Sequence, residues 1–165
     1  MSEQVVKPPA AKGAAAKDMA TKAPVKSPRR RSRELAVQGI YQWRLTGEAP
    51  AQIEQQMIEQ ATGRYDKAFF KALLQSTLAQ SEPLEKLVGT HLDRPLNELS
   101  PIEYSILLLG AYEFLHHPET PYRVIINESV ELTKTFGGTD GHKYVNGVLD
   151  KLAAQIRAVE VRGRG

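Results

Sequence analysis

Along this chain, apolar residues recur at the three-to-four-residue spacing of amphipathic helices, from about residue 31 to residue 157. No stretch alternates apolar and polar residues with period two over a useful length, so we expect no strands. Pro and Gly residues divide the pattern into six or seven helices with short connections. The sequence therefore predicts an all-α bundle of about seven helices. The break between residues 81 and 100 either divides two helical subdomains or lies within one continuous core.

The first half of the pattern predicts four helical segments. A helix from about residue 31 to 45 is followed by a second helix, for which Pro50 suits the first turn. Asp66 can cap a third helix, which carries a wide apolar stripe. Ser81-Glu82-Pro83 marks a break before a fourth segment that continues to about residue 91.

The second half of the pattern has clearer helix boundaries. Ser100-Pro101-Ile102-Glu103 combines a Ser cap, a Pro in the first turn and a Glu at the third position, which is a capping box. The helix that follows is apolar almost all round, so we expect it at the centre of the bundle. The next helix starts at Thr120-Pro121 and stops at Gly137-Gly138, and either Thr139 or Asp140 caps the last helix.

Charge is distributed unevenly between the start of the chain and the rest. Residues 1–33 hold nine Lys or Arg and two acids, whereas the remainder holds 13 Lys or Arg and 17 acids. Residues 1–27 form a Lys/Ala/Pro-rich leader that we expect to be disordered, and residues 158–165 form a basic tail that we expect to fray. The leader either adds weak attraction to nucleic acid or serves only to solubilise the chain. The remainder, residues 34–165, is mildly acidic, which suits a basic partner for the helical body, residues 28–157.

Several functional classes find no support in the sequence. Cysteine is absent, which rules out disulfides and thiolate sites and agrees with a cytoplasmic location. We find neither a signal peptide nor an apolar run long enough to span a membrane. HExxH, GxSxG, CxxC and Gly-rich phosphate loops are also missing. We therefore expect a protein that is not an enzyme, holds no cofactor or metal, and has no membrane partner.

An arginine cluster at the start of the first helix is the first candidate site. Four arginines occupy five positions, namely Arg29, Arg30, Arg31 and Arg33. Guanidinium groups held on a docked helix favour planar, bidentate ligands, phosphate above all. The same pattern also fits a solvated basic helix end with nothing bound.

A second candidate site lies at the start of the last helix. A helix N-terminus offers free backbone N–H groups and a positive dipole end. Lys143 adds positive charge, and the ring of Tyr144 can stack on an unpaired base. The alternative is that Tyr144 belongs to the core and Lys143 is merely solvated.

Three stretches of the sequence resemble the NusB family of bacterial transcription antitermination factors. They are Arg29–Tyr41 (RRRSRELAVQGIY), Pro121–Lys134 (PYRVIINESVELTK) and His142–Lys151 (HKYVNGVLDK). Their order and spacing are those of the family. Two departures are the long leader and Gly39, where the family commonly has a small helix-forming residue such as Ala. Gly39 is expected to cost its helix about 0.5–1 kcal/mol against Ala unless close packing requires it.

The resemblance implies an all-helical fold of two packed helical subdomains, a specific function and a set of site residues. It implies binding of the single-stranded boxA element of ribosomal RNA operon transcripts together with NusE, a ribosomal small-subunit protein, in a complex that helps RNA polymerase pass terminators. The residues implied to contact RNA at the arginine cluster are Arg29, Arg30 and Arg33. Those implied to form a second RNA contact are Asp140, Lys143 and Tyr144. Those implied to face NusE are Tyr41 and Glu103.

Two other functions remain open from the sequence. A similar helical domain is fused to certain ribosomal RNA cytosine methyltransferases, but such an enzyme needs a further α/β domain beyond residue 157. A nucleoid-type DNA binder is suggested by the leader, and it predicts that deleting residues 1–27 abolishes binding. The resemblance leaves monomer and homodimer equally open.

Overall fold

The computed structural model describes residues 26–138 and 140–164. This part of the chain contains eight α-helices and no strand, so the all-α prediction is confirmed. The helices, with their bounds, are α1 Pro28–Thr46, α2 Pro50–Gln60, α3 Lys67–Ala79, α4 Ser81–Gly89, α5 Pro101–His116, α6 Tyr122–Phe136, α7 Gly141–Ile156 and α8 Ala158–Arg164. A short 3-10 helix, Leu96–Glu98, lies between α4 and α5. The leader up to residue 25 and a cap at Thr139 lie outside the described residues.

Helix α1 begins earlier than its apolar pattern predicts. The Ser27 hydroxyl accepts a hydrogen bond from the Arg30 N–H at 3.1 Å, and Pro28 occupies the first helical position. Both features favour a helix start, because the cap pairs a free N–H and proline has none to lose. As a result, all the arginines of the cluster lie within the first two turns of α1.

Helix α5 forms the centre of the bundle, as its apolar sequence predicts. Every residue from Tyr104 to Phe114 is buried. The predicted capping box is present, with the Ser100 hydroxyl accepting from the Glu103 N–H and the Glu103 carboxylate accepting from the Ser100 N–H. Helices α1, α3, α4, α6 and α7 pack against α5, and α2 packs against α1 and α3, around one continuous apolar core.

The direction of each helix determines which residues meet at each end of α5. Helix α1 runs antiparallel to α5, since Arg33 pairs with Glu113 while Arg44 lies 4.0 Å from the ring centre of Tyr104. Helix α7 runs parallel to α5, since its first residue, Gly141, lies beside Glu103. The starts of α1 and α7 therefore lie at opposite ends of α5.

Gly39 is explained by close packing. A Cβ atom at this position would lie 2.8 Å from Cδ1 of Leu74 and 3.3 Å from Cγ2 of Ile53. Both neighbours are fully buried and have little room to move. Here the approach of α1 to α2 and α3 requires glycine despite its cost to the helix.

Two helix ends differ in detail from what the sequence predicts. The sequence predicts fraying from residue 158 on, but residues 158–164 form α8. Arg157 stabilises this end by donating to the carbonyl oxygens of Phe114 at 2.8 Å and His117 at 3.0 Å. Asp140 precedes α7 as predicted, but its side chain makes no capping hydrogen bond.

None of the described helices is long and apolar enough to cross a membrane.

Candidate nucleic-acid interface

Arg29 lies on the surface at the start of α1. Its guanidinium carbon lies 3.6 Å from the ring centre of Phe69, a cation–π contact. Its Nη1 is 3.8 Å from the Asp66 carboxylate, and 45% of the side chain is exposed. The ring holds the guanidinium plane in place, and its outer face remains available to a phosphate or a base.

Arg30 makes a two-pronged ion pair with Glu128 of α6. Its Nε and Nη2 donate to the two carboxylate oxygens of Glu128, each at 3.0 Å. This hydrogen bond raises the pKa of Arg30 above its ordinary value, so the arginine stays charged. The Arg30 side chain is 39% exposed, so the pair lies within reach of solvent and of a ligand.

Arg33, by contrast, points into the protein. Its Nε and Nη2 each donate at 2.8 Å to the Glu113 carboxylate, and only 6% and 3% of the two side chains are exposed. Burial lowers the pKa of Arg33, but the hydrogen bond and charge of Glu113 outweigh burial and raise it. The structure therefore does not bring Arg33 to the surface. An RNA contact through this side chain has no geometric support.

Arg31 and Lys26 share another carboxylate, that of Glu34. Arg31 donates to one oxygen of Glu34 and Lys26 to the other, both at 2.6 Å. Arg31 also donates to the carbonyl oxygen of Thr62 at 2.9 Å, which fixes α1 to the loop after α2. Each arginine of the cluster thus faces a carboxylate, an arrangement that the local sequence does not reveal.

The second candidate site centres on Tyr144, which is half-buried in α7. Its hydroxyl donates to Asp93 at 3.2 Å, and the guanidinium carbon of Arg94 lies 4.2 Å from its ring centre. Burial and the bond to Asp93 raise the pKa of Tyr144, while the hydrogen bond from Arg94 lowers the pKa of Asp93. Sequence reasoning missed Asp93 and Arg94, whose only signal was a charged pair in a connection. One face of the ring is therefore covered by Arg94.

Lys143 lies in a shallow groove beside this ring. The groove follows α7 and is lined in part by Lys143, Tyr144, Gly147 and Lys151. Both lysines are exposed, and neither forms an ion pair with any residue that the structure describes. Asp140 is exposed at the start of the same helix. The structure therefore brings Asp140, Lys143 and Tyr144 to one end of α7, as the sequence predicts.

The two candidate sites are separated along α5. The Arg33 partner Glu113 and the Gly141 neighbour Glu103 are ten positions apart on this helix. With a rise of 1.5 Å per residue, the two ends are about 15 Å apart along the helix axis. A ligand that touches both sites must be extended.

The structure places Tyr41 and Glu103, the residues implied to face NusE, on different helices. Tyr41 is half-buried and lies three turns after Arg30 on the same face of α1. Glu103 caps the start of α5, and its Oε2 would lie 3.4 Å from a Cβ atom on Gly141. Within residues 26–138 and 140–164, no group of three or more His, Cys, Asp or Glu side chains could hold a metal ion.

The helix order and the arginine-bearing start of α1 define the chain first as an all-helical protein with a cationic surface site. The NusB family model matches residues 30–154, and the chain belongs to this family. Transcription antitermination protein NusB of Dechloromonas aromatica is 58% identical over 144 residues, covering 87% of this chain and 88% of that protein. The protein of that name from Nitrosomonas eutropha is 59% identical over 140 residues, covering 83% of each chain.

Solved structures show the same fold. T. maritima NusB is 29% identical, with a TM-score of 0.70, over 79% of this chain and 94% of that chain. A chain from the crystal structure of antitermination factors NusB and NusE in complex with double-stranded RNA is 23% identical, with a TM-score of 0.70, over 76% of this chain and 96% of that chain. The family is one of non-catalytic antitermination factors, so the methyltransferase alternative is not favoured.

Proposed function

We propose that this chain binds the single-stranded boxA element of ribosomal RNA operon transcripts together with NusE, in the cytoplasm. In this proposal the complex joins RNA polymerase and promotes read-through of terminators. The observation that carries it is the presence, on a NusB fold, of two surface sets of cationic and aromatic side chains at opposite ends of α5. Family membership and the solved complex of NusB and NusE with double-stranded RNA support it.

The proposal assigns charge recognition to the start of α1 and base recognition to the start of α7. Arg29 and Arg30 bind phosphates, because their guanidinium groups are at least partly exposed, and the ring of Phe69 holds that of Arg29 in place. Lys143 binds a phosphate as a mobile point charge, and Tyr144 stacks on a base. Asp140 accepts hydrogen bonds from a base edge.

Arg33 has a different role in this proposal from the one that the family resemblance implies. Its buried pair with Glu113 fixes the first turns of α1 against α5. Arg29 and Arg30 project from those same turns. We therefore assign Arg33 to positioning the arginines that bind RNA and not to binding RNA itself.

NusE binding remains a separate part of the proposal. Tyr41 and Glu103 are partly exposed, and an acidic body carries them. A basic ribosomal protein is a suitable partner for such a surface, because complementary charge speeds and orients association.

Fluorescence anisotropy of a labelled boxA RNA and a scrambled control tests the proposal. Each RNA is titrated at two salt concentrations, with and without NusE. We expect a preference for boxA that increases when NusE is added. Equal affinity for both RNAs, unaffected by NusE and lost at higher salt, would show only non-specific attraction to positive charge.

A further inference from the structure

The carboxylate of Glu128 occupies the position on Arg30 where a phosphate would bind. Arg30 presents Nε and Nη2 side by side, and both bond to Glu128 at 3.0 Å. Carboxylate and phosphate accept the same parallel pair of hydrogen bonds from a guanidinium group. The two acceptors cannot bond to the same edge of Arg30 at once.

Solvent exposure distinguishes this pair from the structural pair nearby. Arg30 and Glu128 side chains are 39% and 20% exposed, whereas those of Arg33 and Glu113 are 6% and 3% exposed. A partly exposed ion pair is weak, because water stabilises both charges when it opens. Arg30 can therefore exchange Glu128 for another anion, while the pair of Arg33 with Glu113 holds α1 in place.

The charges around Glu128 do not offer it a better partner than Arg30. Glu131 lies one turn along α6 and is 3.6 Å from Lys134. Glu34, which lines a small cavity together with Arg30 and Glu128, is bound by Lys26 and Arg31. A phosphate that reaches Arg30 must displace Glu128 and also approach these neighbouring carboxylates. Glu128 therefore opposes phosphate binding in two ways, by occupying the Nε and Nη2 edge of Arg30 and by its negative charge.

We propose that Glu128 is an internal competitor for the RNA phosphate at Arg30 and so lowers the affinity of the free protein for RNA. This inference rests on the proposed function. It assigns to Glu128 a role in setting affinity that is independent of base sequence, since phosphate contacts carry no sequence information directly.

The test compares Glu128→Gln with Glu131→Gln, which removes the same charge from the same helix one turn away. Anisotropy with boxA and scrambled RNA measures the affinity of each variant. We expect Glu128→Gln to bind both RNAs about two- to fivefold more tightly, given the usual strength of exposed ion pairs. Glu131→Gln should change RNA affinity by less than about twofold, because salt screens the effect of an exposed charge.

A double variant tests whether the gain acts through Arg30. In an Arg30→Ala background, Glu128→Gln should change RNA affinity by no more than Glu131→Gln changes it in the wild type. Equal gains for the two single variants, or weaker binding by Glu128→Gln, would overturn the inference; the second result would mean that Glu128 orients Arg30. Failure of the proposed function would look different, since wild type would then bind boxA and scrambled RNA equally.

Discussion

Replacing Arg33, the buried partner of Glu113, by alanine tests how α1 is attached to the bundle. In Arg33→Ala, the Glu113 carboxylate loses two charge-assisted hydrogen bonds of 2.8 Å while its side chain, 3% exposed, remains out of reach of water. Leaving one charge of a buried pair without its partner costs about 3–5 kcal/mol. Because a domain of this size is stable by only about 5–15 kcal/mol, we expect a large fall in the free energy of unfolding.

Urea denaturation followed by circular dichroism measures this loss. A double variant, Arg33→Met with Glu113→Leu, serves as the matched control, because replacing both charges by apolar groups leaves no unpaired charge. We expect it to be more stable than Arg33→Ala or Glu113→Ala. A loss below about 1 kcal/mol in Arg33→Ala, or additive losses in the double variant, would refute the argument.

The pH dependence of this loss follows from the pKa of Arg33. That pKa is raised in the folded protein above the ordinary value of an arginine, because Glu113 bonds to the guanidinium group and attracts its charge. A raised pKa of a basic group adds stability that is fully present below the unfolded-state value and is lost only as pH rises through the folded-state value. We therefore expect the contribution of Arg33 to be fully present at both pH 7 and pH 9, so the difference between wild type and Arg33→Ala should not shrink between these values. A difference that shrinks between these values would contradict the assignment.

Three further predictions concern the RNA-binding surface and the core. Arg30→Ala should weaken RNA binding by more than Lys71→Ala, an exposed single-charge control on α3, with an unchanged helical signal in both; equal losses in anisotropy would contradict a specific contact. Tyr144→Ala should cost about 1–3 kcal/mol of RNA binding free energy, and thermal collapse instead would mark the ring as structural. Gly39→Ala should lower the free energy of unfolding by about 1 kcal/mol, because crowding of Leu74 exceeds the gain in helix propensity; a more stable variant in urea denaturation would refute this.

The elements of the fold were predictable because their signals are local. Ser100 and Glu103 are three residues apart and form the capping box that their spacing predicts. The apolar sequence of α5 predicted its central position, and each of the seven predicted helices is present. The start of α1 was predicted late because its first residues are basic, although Ser27 and Pro28 carried the usual start signal.

The partners of the arginines could not be predicted, because they are distant in sequence. Arg33 meets Glu113, which is 80 positions away, and Arg30 meets Glu128, which is 98 positions away. Nothing in the arginine cluster distinguishes the inward-pointing Arg33 from its exposed neighbours until the packing of α1 on α5 is known. For the same reason α8 was missed, since Arg157 stabilises it through carbonyl groups of another helix end.

The central claim is that one RNA strand contacts the starts of both α1 and α7. Cross-linking of RNA to the protein tests this claim most directly. The boxA RNA is made with 4-thiouridine at single positions, irradiated with the protein and NusE, and the joined peptides are identified by mass spectrometry. We predict cross-links to peptides containing Tyr144 from one set of RNA positions, and to peptides from the start of α1 from another. Cross-links confined to residues 1–25 or to α8, with neither helix start labelled, would contradict it.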